Sequence, residues 1–377
     1  MNSNSPIFIT PFGFQPDYIR EISNAFARNG NKVIIAGSNQ HDKNWYEKNV
    51  MFINIRGNDS ANRSLVKKIY DLTNYFLRLY KLIILGRIKI IYDPSIARPI
   101  LILIHYSILK LLKRKIVLTV HNVLPHSKNN FNNRFFYNII YKYPDFLIAH
   151  TKFIKQELIR LFKIPEDKII VANHGIYSVI NNKMVNKFTA RKKLNITESE
   201  FVILIFGQQY PYKGTDIFIK HLLDKINFKF RLVIAGCGDK VYIQKLKKSV
   251  NSSKHKESID LYFKFIPNEE IELFFKACDI VCLPYLEGSQ SGVLFMSYSF
   301  GRPVLATDVG NFKYDIIENK TGEIFQIKNP IDFTKKLNKI KNNIYTYSET
   351  FIIEFAKKNY SWDTFAQTIE QQIFKKL

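Results

Sequence analysis

One stretch of the sequence, positions 281–310, constrains the fold most strongly, because it holds two short apolar runs with a helix-length segment between them. The runs at residues 280–284 and 304–307 have the length of buried strands. The segment between them ends at Gly301, where a helix C-cap would lie, and Pro303 prevents the helix from continuing. This order of strand, loop, helix and strand is typical of an α/β sheet.

The loop inside this stretch predicts an anion-binding site. The small residues at 289–292 lead directly into the helical segment. Free N–H groups and the helix dipole make such an N-terminus favourable for negative charge. Glu287 lies just before it and can hold an uncharged polar group beside the anion. A sugar joined to a diphosphate has both parts.

The same alternation of strands and helices runs through the rest of the chain in two halves. The first half opens with a strand at 7–10, a helix at 17–29 and a strand at 32–36, which is how a doubly wound sheet begins. Further strands are predicted at 51–55, 115–120, 146–150 and 169–172 and, in the second half, at 201–206, 231–235 and 261–265. The polar segment 177–189 is interpreted as the crossover. We therefore predict an α/β protein with two Rossmann-like, doubly wound domains that face each other across a cleft, residues 1–180 forming the first.

An amphipathic helix is predicted to begin near Leu65. Its apolar face comprises Leu65, Ile69, Leu72, Phe76 and Ile83, and its charged residues lie elsewhere. Further basic residues surround this helix: Arg87, Lys89, Lys110, Lys113, Arg114 and Lys115. These charges suit either a solvated rim or a patch that faces a membrane, and both interpretations stay open because sequence does not show which face is buried.

The chain is strongly basic, with 56 Lys and Arg residues against 32 Asp and Glu and a net charge of +24. Nucleic acid, an anionic membrane surface and anionic substrates all suit that charge. No recognised nucleic-acid module combines these basic residues with aromatics, so we predict no nucleic-acid partner. Cys237, Cys278 and Cys282 lack zinc or disulfide spacing, which favours thiols in a reducing compartment. Without a signal peptide or a membrane-spanning run, we predict a cytoplasmic protein, soluble or peripheral on the inner face of the membrane.

Lys213 and His121 are two further candidate ligand-binding residues. Lys213 lies in a loop between Gly207 and Gly214 at a predicted helix start, where a point charge and backbone N–H groups suit a phosphate. Thr215 is expected to cap that helix. His121 follows the predicted strand at 115–120, at the strand end where open α/β sheets place their ligands.

Together these features resemble the GT-B glycosyltransferases of family 4, which are retaining and use nucleotide sugars. The resemblance covers most of the chain and is strongest over residues 201–325. The similar motifs are Gly207…Lys213-Gly214, Ala235-Gly236-Cys237-Gly238, Ala277-Cys278-Asp279-Ile280-Val281, Glu287-Gly288…Phe300-Gly301-Arg302-Pro303-Val304, Asp308-Val309-Gly310, Thr321-Gly322 and Thr119-Val120-His121-Asn122-Val123-Leu124-Pro125-His126.

The resemblance implies roles for the second-half residues. Lys213 would bind the donor diphosphate, and the backbone N–H groups of Ser291, Gly292 and Val293 would hold its distal phosphate. Glu287 would contact hydroxyl groups of the donor sugar. Residues 181–350 would form the nucleotide-sugar-binding domain.

The resemblance also implies roles for the first half, residues 1–180, as the acceptor-binding domain. His121 would lie near the reacting sugar, and Gly13 near the diphosphate or the acceptor. Residues 351–377 would be helices that cross back to this domain. Neither a metal nor another cofactor would be needed, because the phosphate cradle neutralises the leaving group.

The chain departs from the family pattern at three positions. The family's second loop glutamate falls on Met296, which cannot accept a ribose hydroxyl, and the first falls on Gly288, so that Glu287 fits with a one-residue shift. The family's diphosphate arginine is here Gln208, and Gln290 is a residue that can help to bind the donor.

Two hypotheses follow from this pattern. The first is a metal-independent transferase that moves a hexose from a nucleoside-diphosphate sugar to a glycan or lipid-linked acceptor in the synthesis of cell-surface polysaccharides or glycoconjugates. The second is a catalytically silent GT-B scaffold or a partner-dependent subunit. A phosphorylase of the same architecture would need a lysine-bound pyridoxal cofactor and a longer chain.

Overall fold

A computed structural model describes residues 6–11, 16–57, 63–96, 98–124, 131–176 and 185–374. The predictions for Gly13, Pro125 and His126 lie outside these residues. The chain divides into two compact units. The first unit comprises Met1–Gly175 and Ser361–Leu377, and the second comprises Ile176–Tyr360. The domain bounds inferred from the sequence, at 180/181 and 350/351, stay a prediction.

The first unit contains a seven-stranded sheet in which every strand pair is parallel. The strands are β1 (Ile7–Ile9), β2 (Val33–Gly37), β3 (Val50–Asn54), β4 (Ile90–Asp93), β5 (Lys115–Val120), β6 (Phe146–Ala149) and β7 (Ile169–Val171). Its first five helices are α1 (Pro16–Arg28), α2 (Leu65–Leu85), α3 (Pro99–Leu111), α4 (Phe131–Lys142) and α5 (Lys152–Phe162). The strand order β3-β2-β1-β4-β5-β6-β7 reverses direction between β1 and β4, which is where doubly wound sheets bind ligands.

The second unit contains a six-stranded sheet that is also parallel throughout, in the order β10-β9-β8-β11-β12-β13. Its strands are β8 (Phe201–Phe206), β9 (Phe230–Ala235), β10 (Ile259–Tyr262), β11 (Ile280–Leu283), β12 (Val304–Thr307) and β13 (Gly322–Phe325). Its helices are α6 (Lys187–Lys193), α7 (Thr215–Ile217), α8 (Lys240–Asn251), α9 (Asn268–Ala277), α10 (Gly292–Ser299), α11 (Phe312–Asp315), α12 (Pro330–Asn342) and α13 (Glu349–Asn359). Two parallel, doubly wound sheets confirm the predicted fold class.

The last helix, α14 (Trp362–Gln372), belongs to the first unit and packs on α1. Ser361 caps it, as its predicted start requires, by accepting a hydrogen bond from the N–H of Thr364. An ion pair of 2.7 Å joins Arg28 to Asp363 at this contact. The chain thus leaves the first unit after β7 and returns to it at Ser361.

One local prediction is wrong. Thr215 does not cap the helix that it begins, because Gly214 takes the cap position with a φ of +66° and the Thr215 hydroxyl donates to Gln209 instead.

The apolar face predicted for α2 is only partly buried. Its members Leu65 and Ile69 are exposed, whereas Ile83 is buried together with Tyr75 and Leu79 on the core side of the helix.

Candidate active site

The N-terminus of α10 has no capping side chain. Ser291 occupies the cap position, but its hydroxyl lies 3.0 Å from the hydroxyl of Tyr285 and does not cap the helix. The N–H groups of Gly292 and Val293 donate to no other residue in the part of the chain that the structure describes. The positive end of this helix dipole is therefore available to an anion.

This uncapped start distinguishes α10 from the other helices of its unit. Each of the others that the structure describes has an Asp, Asn or Ser cap, or an acidic residue in its first turn. Such residues satisfy a helix N-terminus from within the protein. Among these described helices, only α10 has a first turn that lacks both, so the sequence leaves this one helix start to an external ligand.

Lys213 is a buried cation beside the start of α10. Its side chain is 7% exposed, and its ammonium lies 5.2 Å from the ring centre of Tyr285. A Cβ atom placed on Gly207 would lie 3.2 Å from Lys213 Nζ and 3.1 Å from Val293 Cγ2, so the lysine, the glycine loop and α10 meet at one place. Lys213 forms no ion pair or hydrogen bond with any described residue through Nζ. Because a buried cation without a partner is unfavourable, this arrangement favours an anionic ligand.

Glu287 lies on the loop between β11 and α10, and its side chain is exposed. The backbone N–H of Leu286 donates to the carbonyl of Tyr212 at 2.8 Å, which ties this loop to the loop of Lys213. A Cβ atom on Gly310 would lie 2.0 Å from the carbonyl oxygen of Gly288, so the segment around Gly310 packs closely against the loop that follows Glu287. Burial raises the pKa of Tyr212 to about 12, with a smaller contribution from the charge of Glu287.

Gln208, a predicted donor ligand, is exposed. The buried glutamine of this loop is its neighbour Gln209, which the sequence pattern does not single out. Its Nε2 donates to the carbonyl of Gly207 at 2.8 Å, and its Oε1 accepts from the Thr215 hydroxyl at 2.9 Å. Gln209 therefore shapes the loop that carries Lys213.

Gln290 and Met296 have contrasting environments. The side-chain oxygen of Gln290 is buried and accepts no hydrogen bond from a described residue. A polar atom in that state suits a ligand that can donate to it. Met296 is half-buried and packs against the core of the second unit. Its thioether cannot replace a carboxylate, which agrees with the departure that the sequence indicates.

Three histidines lie together at the carboxyl edge of the first sheet. His121 follows β5, His150 follows β6, and His174 lies beyond β7. The ring centres of His121 and His150 are 5.0 Å apart, as are those of His150 and His174. Tyr18 from α1 packs against all three, and its hydroxyl lies 3.1 Å from His150 Nε2. Trp362 packs against His174, with ring centres 4.7 Å apart.

Sequence reasoning identified only His121 as a site residue of this cluster. A signal for the others was present, since His150 is the last residue of the predicted strand 146–150 and His174 follows the predicted strand 169–172. The register of β5, β6 and β7 in one parallel sheet brings them together. Desolvation by the surrounding rings lowers the pKa of His121 to about 4 and that of His174 to about 3, and it lowers the pKa of His150 strongly. All three are therefore neutral at pH 7.

The tautomer of His121 follows from its hydrogen bond. Its Nε2 lies 2.8 Å from the carbonyl oxygen of Pro94, so Nε2 carries the proton and donates. The preceding residue, Asp93, ends β4 and is fully buried. Burial raises the pKa of Asp93 to about 8, and the nearby hydroxyl of Tyr106 partly opposes the shift. The carbonyl of Pro94 thus fixes the tautomer of His121, while burial keeps its imidazole neutral.

Among the described residues, no group of three or more His, Cys, Asp or Glu side chains has a metal-binding arrangement. None of the described helices is long and apolar enough to cross a membrane. The positive groups of the site are the ammonium of Lys213 and the N-terminal end of the α10 dipole, and Glu287 adds an exposed carboxylate on the neighbouring loop.

Two family models match the chain, one over each half. The model of glycosyltransferase family 4 matches residues 16–178, and the model of glycosyl transferases group 1 matches residues 186–368. The chain belongs to the GT-B glycosyltransferases. The second match includes both Lys213 and the start of α10.

Solved structures of this fold resemble the GT-B chain over nearly its whole length. Sucrose-phosphate synthase from Thermosynechococcus elongatus superposes with a TM-score of 0.77 at 14% identity, covering 99% of this chain and 100% of that one. HepE from Anabaena, in complex with UDP, superposes with a TM-score of 0.75 at 13% identity, covering 98% and 100%. At such low sequence identity, these superpositions establish the fold alone.

Curated glycosyltransferases are also similar in sequence. An uncharacterized glycosyltransferase of Methanocaldococcus jannaschii is 28% identical over 233 residues, 59% of this chain and 57% of that protein. The D-inositol 3-phosphate glycosyltransferase of Streptosporangium roseum is 24% identical over 207 residues, 52% of this chain and 46% of that protein. The chain spans about half the length of the curated relatives that it matches.

Proposed function

We propose that this protein is a retaining hexosyltransferase that moves a hexose from a nucleoside-diphosphate sugar to a glycan or lipid-linked acceptor. The observation that carries the proposal is the ammonium of the largely buried residue Lys213, which has no partner among the described residues, beside the uncapped start of α10. A diphosphate supplies the negative charge that both groups lack. The known complexes of HepE with UDP and with UDP-glucose make UDP-sugars the first donors to test.

The donor would be held by groups with separate tasks. Lys213 and the N–H groups at residues 291–293 would bind the diphosphate, and exposed Glu287 would accept hydrogen bonds from sugar hydroxyls. Gln290 would accept a further hydrogen bond from the donor. Neutral His121 can exchange a hydrogen bond with the reacting sugar without placing a positive charge beside the developing oxocarbenium ion.

In the reaction, the bond between the anomeric carbon and the diphosphate oxygen breaks, and the acceptor hydroxyl oxygen bonds to the same face of that carbon. The acceptor proton passes to the departing phosphate. Lys213 and the α10 dipole stabilise the negative charge that develops on the leaving group. Stabilising the charge that develops in the transition state usually contributes more to catalysis than any other single effect. Because these groups already supply positive charge, we propose that turnover needs no metal ion.

We place the reaction in the cytoplasm, at the inner face of the membrane, in the synthesis of cell-surface polysaccharides or glycoconjugates. A basic chain with a net charge of +24 suits both an anionic donor and an anionic membrane. No nucleic-acid partner is proposed.

The test is a screen of the purified protein against UDP-, GDP-, ADP- and TDP-sugars, by thermal shift and by donor hydrolysis, with and without EDTA. We expect one nucleotide to raise the melting temperature, and turnover to be the same with EDTA. If EDTA abolishes turnover, the metal-independent mechanism is wrong.

A second candidate function is a catalytically silent scaffold or a partner-dependent subunit. Gln208 is exposed and Met296 packs into the core, at positions where the family pattern has an arginine and a glutamate. If none of the four nucleotides raises the melting temperature, the scaffold replaces the transferase as the better proposal. If a nucleotide binds but turnover requires a second protein, the subunit does.

A further inference from the structure

The solvent side of α2 carries a row of exposed apolar side chains. They recur at spacings of four and seven residues, which aligns them on one face of the helix. The row comprises Val66, Tyr70, Leu77 and Ile84, which are between 48% and 79% exposed. The buried residues Tyr75, Leu79 and Ile83 lie on the opposite side. An α-helix on a water-soluble surface normally carries polar residues there, so this face is unusual.

Helix α3 repeats the pattern. Its row comprises Ile100, Ile104 and Leu111, again at spacings of four and seven residues, with exposures between 53% and 82%. Its opposite side is buried through Ile102, Tyr106 and Leu109. Few polar residues interrupt the sequence of this helix, which is therefore apolar on both sides.

The two rows lie on neighbouring helices. The hydroxyl of Tyr80 on α2 lies 3.0 Å from Nδ1 of His105 on α3, and the rings of Phe76 and His105 also meet. The helices lead into the adjacent parallel strands β4 and β5, where Ile90 pairs with Lys115. They therefore run side by side in the same direction, and their C-terminal ends reach the same edge of the sheet. We name the two rows together the α2–α3 face.

Basic residues surround the α2–α3 face. Between Leu65 and Lys115 the sequence has eleven Lys and Arg residues but only two acids, Asp71 and Asp93. Asp93 is fully buried, and Asp71 is paired with Arg63 and Lys67. Asp145, from outside this segment, pairs with Lys110 and Lys115. The remaining basic residues still outnumber the acids, so the accessible rim is positive.

The distribution of this charge is also informative. Arg87 and Lys113 follow the ends of α2 and α3 with φ values of +48° and +53°, a conformation that favours glycine. Both helices thus place a cation at the same edge, where a helix C-terminus attracts positive charge. Lys81 lies beside the apolar row of α2 and Arg78 about a quarter-turn from it, and both side chains are exposed.

We propose that the α2–α3 face docks on an anionic lipid bilayer, with its apolar rows in the headgroup region and its basic rim on lipid phosphates. Apolar burial and attraction to anionic lipid act together in interfacial helices of this kind. Tyr70 has the amphipathic ring that favours a membrane–water boundary. A second copy of the chain would bring two positive rims together, and nucleic acid would leave the apolar rows in contact with water. The proposal does not rest on the transfer reaction, because α2 and α3 belong to the first unit and the donor site to the second.

The test is co-sedimentation of the full-length protein with vesicles of phosphatidylcholine alone or with one quarter phosphatidylglycerol. We expect at least tenfold stronger binding to the anionic vesicles, weakened by 0.5 M salt. The double variant L77E/I104E should bind at least tenfold less. The matched control is V241E/I331E, which places the same charges at two apolar positions of the second unit that are at least as exposed, and it should bind as the wild type does.

A charge variant, R78Q/K81Q, tests the rim separately. Each basic residue near an anionic surface is worth about 1 kcal/mol, so this variant should lose about tenfold or more in binding to anionic vesicles. Equal binding to both vesicle types, or L77E/I104E binding like its control, would overturn the proposal. A wild-type dimer in light scattering that L77E/I104E converts to a monomer would instead assign the face to a second copy. Donor-induced thermal shift, measured on the same variants, reports folding and donor binding independently of lipid.

Discussion

Replacing Lys213 by methionine should affect stability and ligand binding in opposite directions. Methionine keeps the length and most of the volume of the lysine side chain and removes only its charge. In the unliganded protein Lys213 as a whole residue is 7% exposed, and its ammonium has no carboxylate partner among the described residues. The cation contributes to function only when an anion is bound.

The magnitudes follow from the contacts of Lys213. The ring of Tyr285 lies 5.2 Å from the ammonium, and this cation–π contact offsets about 0.5–1 kcal/mol of the cost of desolvating Lys213. An incompletely satisfied buried polar group costs about 1–3 kcal/mol. The Lys213→Met variant should therefore be more stable than wild type by about 1 kcal/mol, which raises the melting temperature of a unit of this size by about 2–4 °C. Losing a hydrogen bond to a charged phosphate should weaken binding of the nucleoside diphosphate by about 1.5–3 kcal/mol, or about 10- to 150-fold.

Isothermal titration calorimetry with the nucleoside diphosphate chosen by the screen, and thermal denaturation without ligand, measure the two effects. Lys220→Met is the matched control, since Lys220 is exposed and lies seven residues away in the same unit. It should change neither quantity. Undiminished diphosphate affinity in Lys213→Met would refute the reasoning, and a melting temperature well below that of Lys220→Met would show that the lysine supports the fold.

Four other substitutions test the remaining site residues. Glu287→Ala should lower turnover at least tenfold without changing the affinity for the free diphosphate, because this exposed side chain is expected to contact only the sugar; equal turnover in an initial-rate assay would count against it. Met296→Ala should change turnover less than twofold in the same assay, because its thioether makes no polar contact with a described residue. For His174, whose pKa is lowered from 6.5 to about 3, the unfolded state binds the proton more readily, so stability is lost as pH falls below 6.5. His174→Gln should flatten that loss in urea titrations between pH 6.5 and 4, and an unchanged slope would contradict it. For Asp93, whose pKa is raised from 3.8 to about 8, the folded state holds the proton, so stability falls as pH rises from 4 to 8, by at most about 1.4 kcal/mol per pH unit. Asp93→Asn should remove that fall, and urea titrations that still show it would place its origin elsewhere.

Several strands could be predicted from the sequence alone. The predicted bounds of Lys115–Val120, Phe201–Phe206 and Val304–Thr307 agree with the structure. Buried parallel strands are continuous apolar runs, and that signal is local. Neither β4 nor β13 was predicted. Strand β13 contains the buried carboxylate of Glu323, which interrupts the apolar run that would predict a strand. This carboxylate accepts hydrogen bonds from side chains later in the chain, among them Lys339 and Tyr347.

The phosphate-site residues were also accessible from the sequence. Lys213 between two glycines, and a loop of small residues before α10, are local patterns with a direct chemical meaning. The structure added the spatial contacts between these local patterns, which their spacing in the sequence does not show. It showed that Gly207, Lys213 and Val293 meet at one place, and that the buried glutamine of the loop is Gln209.

The sequence by itself determined the alternation of strands and helices, the small-residue start of α10 and the excess of positive charge, because these follow from composition and from neighbours in the chain. Only the tertiary structure decided that His121, His150 and His174 share one sheet edge and that α2 turns Tyr75, Leu79 and Ile83 inwards. An apolar helix face can meet either the core or a membrane, and the spacing of its residues is the same in both cases. Which one it meets is fixed by the side chains that distant segments bring within a few ångströms.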